Sequence, residues 1–303
     1  MMKKRWLVVL LALTLLLACT NPQTAEGAFT PAPTDTPAPT ETPEPEEIVV
    51  IETPDNETVV YETPTLPPPP TPSPTPGPTP VPPPLAGLVI GIDAGHQSHG
   101  DLEKEPNAPD SDEMKARCSS GTRGIATGIY EYEVNLAVAL KLQSILEEAG
   151  ATVVMTRTEN DVNISNRERA ELFNEYGVDL AIRLHCNGTN DTSVRGAFML
   201  VPTKEHTSFY NENVRAATAI LDSYCKATGL SARKHNGITY RSDQTGFNWC
   251  TQPIVCIEMG HLSNETEDLL LTKDTFQDKM AVGIYRGILA YFDPDSTAEG
   301  GNP

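Results

Sequence analysis

The chain has 303 residues, a formal net charge of −19, and only 22 lysines and arginines against 41 aspartates and glutamates. That balance argues against the basic patch that nucleic-acid binding requires. It also offers no general attraction for any anionic polymer, so such binding must rest on local shape and hydrogen bonds.

The first segment reads MMKKRWLVVLLALTLLLACT. Lys3, Lys4 and Arg5 precede an apolar run of about twelve residues, short of the ~20 a membrane span needs, and residues 1–18 read as an export signal. Leu16, Leu17, Ala18 and Cys19 resemble a bacterial lipobox. The resemblance implies cleavage before Cys19, lipid on its thiol, and an extracytoplasmic protein held to the cell membrane. Residues 19–86 are a tether rich in proline, threonine and glutamate. Between Thr20 and Pro84 there are ten acidic residues and no lysine or arginine. Such low-complexity sequence favours extended conformations and cannot bury a core. At ~3 Å per residue the tether would reach on the order of 150–200 Å, enough to enter the cell wall. Two similar pieces within it, IVVIETP and TVVYETP, read as linker.

Residues 87–292 are left for one compact domain, with 19 basic and 28 acidic residues, and 293–303 for a flexible tail. LVIGID is a short apolar strand ending before Gly95. EYEVNLAVALKLQSILEEAG is a helix, with Val134, Val138, Ile145, Leu146 and Ala149 at helical spacing and Gly150 suited to its C-terminal cap. ATVVMTR is a strand, SNRERAELFNEYG a helix, VDLAIRLHCN and GAFMLVP strands. A helix over NENVRAATAILDSYCKATG, the strand PIVCIEMG and a last helix through FQDKMAVGIYRGILAYF complete the pattern. This alternation predicts an α/β sheet covered on both faces, with ligands beyond the carboxyl ends of its strands. His96, His185 and Glu258 fall at those ends. The long segment Gln97–Thr127 is polar and unpatterned, and reads as a substrate-shaping loop. It carries His99 and Cys118, either of which could approach a metal. Five cysteines remain besides Cys19; no pairing is assigned to them.

His96, Glu131 and His185 form a two-histidine, one-carboxylate set of the kind that binds zinc with a fourth position open to water. Glu258 could take that water's proton and pass it to a departing amine. Taken singly, each has a plainer reading: a loop histidine, or a first-turn carboxylate favoured by the helix dipole.

DAGH at 93–96, EYEVNL at 131–136, RLHCN at 183–187 and EMGHLSN at 258–264 resemble the four signature blocks of the zinc-dependent N-acetylmuramoyl-L-alanine amidases, the Amidase_3 family. The resemblance spans residues 88–292 in the right order. It implies one Zn²⁺ on His96, Glu131 and His185, with Glu258 as the catalytic carboxylate. The substrate it implies is peptidoglycan, cut between the lactyl group of N-acetylmuramic acid and L-alanine. The implied fold is a six-stranded, mostly parallel sheet with helices on both faces. Gly95 would then give the strand a tight exit through its freedom in φ. Asp93 would orient His96 or cap the turn, and Asn187 would hold the site or the substrate. Gln97, Arg183, Cys186 and His261 depart from the usual pattern. Arg183 should share a face with His185, near a developing oxyanion or Glu258, and His261 is a candidate for protonation or contact with the stem peptide. Two alternatives stay open. One is a zinc carboxypeptidase or peptidase acting on stem peptides, which the EMGHLSN block disfavours. The other is a non-catalytic wall-binding lipoprotein, which the presence of all three ligands and Glu258 disfavours.

Overall fold

The computed structural model describes residues 82–233 and 235–294. The expected export signal, Cys19, most of the tether with its two similar pieces, and residues 295–303 of the tail lie outside the described residues. In chain order come β1 (Val89–Ala94), β2 (Asp101–Pro106), β3 (Met114–Cys118), α1 (Glu131–Glu148), β4 (Thr152–Met155), α2 (Asn166–Tyr176) and β5 (Leu180–Asn187). Then follow β6 (Phe198–Pro202), α3 (Tyr210–Thr228), β7 (Ile238–Arg241), α4 (Thr245–Asn248), β8 (Ile254–His261), α5 (Glu265–Leu271) and α6 (Asp274–Phe292).

Six strands form one sheet in the order β4-β1-β5-β8-β6-β7. β4, β1, β5 and β8 run parallel, and β6 is antiparallel to β8. The expected α/β fold with a mostly parallel six-stranded sheet is therefore present. Side chains alternate across the sheet, and that alternation separates two cores. Ile90, Ile92, Leu180, Ile182, Leu184, Val255 and Ile257 pack on one side with α1, α3 and α6. Ala181, Cys256, Phe198 and Leu200 face the other side, with Phe173 of α2 and Phe247 of α4. By the same parity Asp93, Arg183, His185 and Glu258 all belong to the α2 side.

Local signals fix the helices. Ser165 Oγ accepts the Glu168 N–H at 3.1 Å, and Glu168 Oε2 accepts the Ser165 N–H at 2.7 Å, which starts α2 with a capping box. Gly177 ends it in the left-handed region at φ 58°. α6 lies close on α3 because Gly287 leaves room: a Cβ there would sit 2.3 Å from Ile220 Cα. Leu85 is buried, and its N–H bonds Ala149 O at 2.9 Å, so the chain joins the core just ahead of β1. Among the described residues no helix is long and apolar enough to cross a membrane.

Candidate active site

β1 and β5 deliver His96 and His185 to the same sheet end, and the first residue of α1 brings Glu131 between them. His96 Nε2 lies 3.3 Å from Glu131 Oε1, and His185 Nδ1 lies 3.1 Å from the same oxygen. The two imidazoles meet edge to face, with centroids 4.7 Å apart. All three donor atoms lie within 4.8 Å of one another. Zinc–ligand bonds of about 2.0–2.2 Å in a tetrahedron put neighbouring donors roughly 3.3–3.5 Å apart. The spacing and the donor types fit zinc.

The surroundings hold these donors in place. His96 Nδ1 donates to the Ser119 carbonyl at 2.8 Å, which turns Nε2 toward Glu131. Glu131 Oε2 accepts the Thr122 N–H at 2.9 Å. Its Oε1 accepts the Cys186 N–H at 3.1 Å and Asn135 Nδ2 at 3.3 Å. Asn135 stands one turn further along α1 and also bonds Gly95 O at 3.0 Å, tying the glutamate to the end of β1. That role was not read from the sequence, although EYEVNL places Glu131 and Asn135 four apart on one helix face. Gly121 must lack a side chain, because a Cβ there would lie 2.5 Å from Glu131 Oε2 and 2.8 Å from His96 Cδ2.

Several expected roles change. Gly95 serves by close approach rather than by freedom in φ. A Cβ there would fall 2.2 Å from His185 Cε1 and Nε2. The positive φ belongs to His96 itself, at 114°, a sparsely populated conformation that tertiary contacts must impose. Asp93 has no direct bond to His96 among the described residues; it bears on the turn through Arg169, which donates to Ala94 O at 3.1 Å and to His96 O at 3.5 Å. Asp93 is fully buried and accepts from Thr156 Oγ1 at 2.8 Å, Arg169 Nη1 at 2.6 Å and Arg183 Nε at 2.8 Å. Gln97 is buried too; its Oε1 accepts from Arg169 Nη2 at 2.9 Å and from the Ile164 N–H at 3.1 Å. Asn187 and His261 are paired at 3.2 Å on adjacent strands beyond His185 and Glu258, His261 is fully buried, and neither lines the cavity that holds Glu258. His99 stays exposed beside Asp161, whereas Cys118 is buried with its thiol next to His96.

The segment 97–127 is not a plain loop. It contains the antiparallel pair β2–β3, in which Lys104 faces Ala116 and Glu105 faces Lys115. DLEKEP carries charge on both faces, and although MKARC alternates, five residues within a long polar segment are too short a pattern to stand out. The hairpin is pinned from α4, where Trp249 Nε1 donates to Pro106 O at 2.8 Å and Thr245 Oγ1 to Asn107 Oδ1 at 3.1 Å. It walls a cavity of about 410 Å³ whose floor is His185, Arg183, Cys256 and Glu258, with His96 at one end and Gln244 to Gly246 opposite the hairpin.

Charge is arranged unequally here. Burial opposes a charged Asp93, but Arg169 and then Arg183 outweigh it and hold the carboxyl well below its usual range. Burial also opposes a charged His96, yet the adjacent Glu131 prevails and raises it to about 10. At His185 burial wins and lowers the imidazole to about 4. Burial first, then the charge of Glu131, pushes Glu258 up to about 8 against the pull of His96, Arg183 and Arg241. A buried carboxyl with a raised pKa in a cleft is a candidate proton carrier.

A profile of the N-acetylmuramoyl-L-alanine amidases, Amidase_3, matches residues 90–290. The germination-specific N-acetylmuramoyl-L-alanine amidase of Bacillus subtilis is 30% identical over 227 residues, covering 69% of this chain and 81% of that protein. Among solved structures, the N-acetylmuramyl-L-alanine amidase Ami1 of Mycobacterium abscessus superposes with a TM-score of 0.64 at 25% identity. That match covers 69% of this chain and all of the other. The catalytic domain of the amidase CwlV from Bacillus (Paenibacillus) polymyxa gives 0.56 at 28% identity, over 68% of this chain and 98% of its own. With the profile spanning the whole sheet and every signature block, the chain belongs to the N-acetylmuramoyl-L-alanine amidase family, a family of peptidoglycan-cleaving enzymes.

Proposed function

We propose that this amidase is a zinc enzyme that cuts the amide between the lactyl group of N-acetylmuramic acid and L-alanine, with Glu258 carrying the proton. The observation that supports it best is the convergence of His96, Glu131 and His185 beside Glu258 on the cavity floor. When bound, zinc supplies Lewis acidity, polarising the scissile carbonyl and making water a nucleophile near neutral pH.

The remaining chemistry belongs to the chain. Asn135, Thr122 and Ser119 hold Glu131 and His96 in the orientation that presents their lone pairs inward. Glu258, as a carboxylate, removes a proton from the attacking water and then delivers it to the alanine nitrogen as the C–N bond breaks. The products are a lactyl carboxylate and a stem peptide with a free amine. Arg183, buried beneath this row, keeps a positive charge close to Glu258 and so favours its ionised form.

We place this activity outside the cytoplasm, with Cys19 as the lipidated anchor, the segment to residue 86 as the tether and 87–292 as the catalytic domain. Support comes from the cations, short apolar run and lipobox-like residues at the start of the sequence. Mass spectrometry of digested peptidoglycan tests the reaction. Free stem peptides beginning with L-alanine, together with glycans bearing intact lactyl groups, are expected. Release of terminal D-alanine instead would make the enzyme a carboxypeptidase.

A further inference from the structure

Arg183 is a cation in the floor of the cavity, and its hydrogen-bonding capacity is only partly used. Nε is bound to Asp93 Oδ2 at 2.8 Å and Nη2 to Asn166 Oδ1 at 3.0 Å. Among the described residues nothing accepts from Nη1, although the side chain is only 7% exposed. Gly246 lies directly over this nitrogen, and a Cβ there would come within 2.7 Å of it. The guanidinium is therefore fixed in place on two sides and open on the third, toward the cavity it lines. Asp93 is shared with Arg169, so Arg183 is not needed as its sole counter-ion.

We propose that Arg183 determines specificity by binding, through Nη1, a carboxylate of the stem peptide one residue beyond the scissile amide; this rests on the amidase reading above. Arg183 precedes His185 by two residues on β5, on the same face, a rise of about 6.6 Å. Two extended peptide residues span at most about 7 Å. A stem that leaves its L-alanine nitrogen beside Glu258 and runs over the floor would bring the α-carboxylate of its second residue to Arg183. That carboxylate is free wherever the second residue continues the stem through its side chain. Of the other charged groups lining this cavity, His96 and Glu258 belong to the reacting centre, Lys115 is paired with Glu113 at 2.9 Å and Asp243 with Arg241 at 2.7 Å, which leaves Arg183 as the cation with a free donor for the stem. A guanidinium held in a poorly solvated floor rewards a carboxylate strongly and a neutral amide weakly.

The test compares two defined substrates on the full-length, zinc-loaded protein: N-acetylmuramoyl-L-alanyl-D-glutamate and its α-amide, N-acetylmuramoyl-L-alanyl-D-isoglutamine. The free acid should be preferred by about tenfold or more in kcat/KM, chiefly through KM. Arg183→Gln should bring that ratio close to one, and Arg183→Lys should restore part of it. Gly246→Ala, whose new methyl crowds Nη1, should lower the ratio without removing the charge, and keeps the test decisive if Arg183→Gln does not fold. Equal rates on the two substrates with wild-type protein would overturn the inference while leaving the amidase reading intact. A preference that survives both Arg183→Gln and Gly246→Ala would overturn it as well. Cleavage of neither substrate would overturn the amidase reading and the inference with it.

Discussion

His185 and Glu258 are register partners on the adjacent parallel strands β5 and β8. The proposed zinc ligand and the proposed proton carrier thus stand side by side on one face of the sheet, two residues beyond the register of the buried Arg183–Asp93 pair. The spacing of these two side chains is set by the pairing of β5 with β8.

Removing a ligand should remove the metal. His185→Ala should lose most of the zinc that wild-type protein retains through purification, read by elemental analysis. Asn135→Ala leaves all three ligands but frees Glu131, and should weaken zinc binding by about 10–100-fold, the usual range for outer-shell partners. Wild-type affinity in the Asn135 variant would show that Cys186 and Thr122 suffice to orient Glu131.

Proton and metal should compete at His96. Glu131 holds this imidazole protonated to about pH 10 in the metal-free site, whereas a ligand nitrogen must be unprotonated. Zinc binding at pH 7 should therefore release a proton, and affinity should rise with pH until His96 loses its proton unaided. Calorimetry in buffers of different ionisation enthalpy measures the release. Uptake or no exchange of protons would contradict the assignment of His96.

Asp93 should make the fold sensitive to acid. Its carboxyl is depressed in the folded state, chiefly by Arg169 and then by Arg183. The stabilisation is therefore complete above the unfolded-state value of about 3.9 and is lost as pH falls through the lower folded value. Asp93→Asn leaves two buried guanidiniums without their shared carboxylate and should cost about 3–5 kcal/mol at neutral pH. Denaturant titration of both proteins across pH 2–7 checks this, and the difference between them should shrink at the acid end.

How much of this was legible in the sequence differs by residue. The strands were readable because LVIGID and PIVCIEMG, buried on both faces, are nearly continuous apolar runs, and the Val134–Leu146 helix because its buried residues recur at helical spacing. The proposed ligands were readable because His96 and His185 lie near the carboxyl ends of such strands and Glu131 opens the helix. The β2–β3 hairpin was not, since its charged strands bury little and it is held by contacts from Trp249 and Thr245, far along the chain. The partners of Asp93 are hidden for a related reason: its neighbours in the sequence point to His96, but Thr156, Arg169 and Arg183 come from three later segments of the chain. Short-range pattern shows which residues reach the sheet end; it does not show which of them touch.

The acid side of the rate profile should reflect Glu258. Burial and Glu131 raise this carboxyl to about 8 without metal, and a bound dication would draw it down again. In metal-free protein, carboxyl NMR should find Glu258 titrating far above the usual glutamate value of about 4.3. With zinc present, kcat/KM should rise with pH as Glu258 becomes a carboxylate. A metal-free titration in the ordinary carboxylate range would mean that the site is wetter than its geometry implies.

Glu258→Gln keeps the size of the side chain and removes its basicity, so it asks whether Glu258 carries the proton. Zinc content, melting temperature and muropeptide release should be measured on one preparation. Full zinc, an almost unchanged melting temperature, and a rate reduced by about 10²–10⁴-fold or more are expected. A zinc-replete, stable Glu258→Gln protein that keeps more than about a tenth of the wild-type rate, well short of any general acid–base contribution, would contradict that role for Glu258.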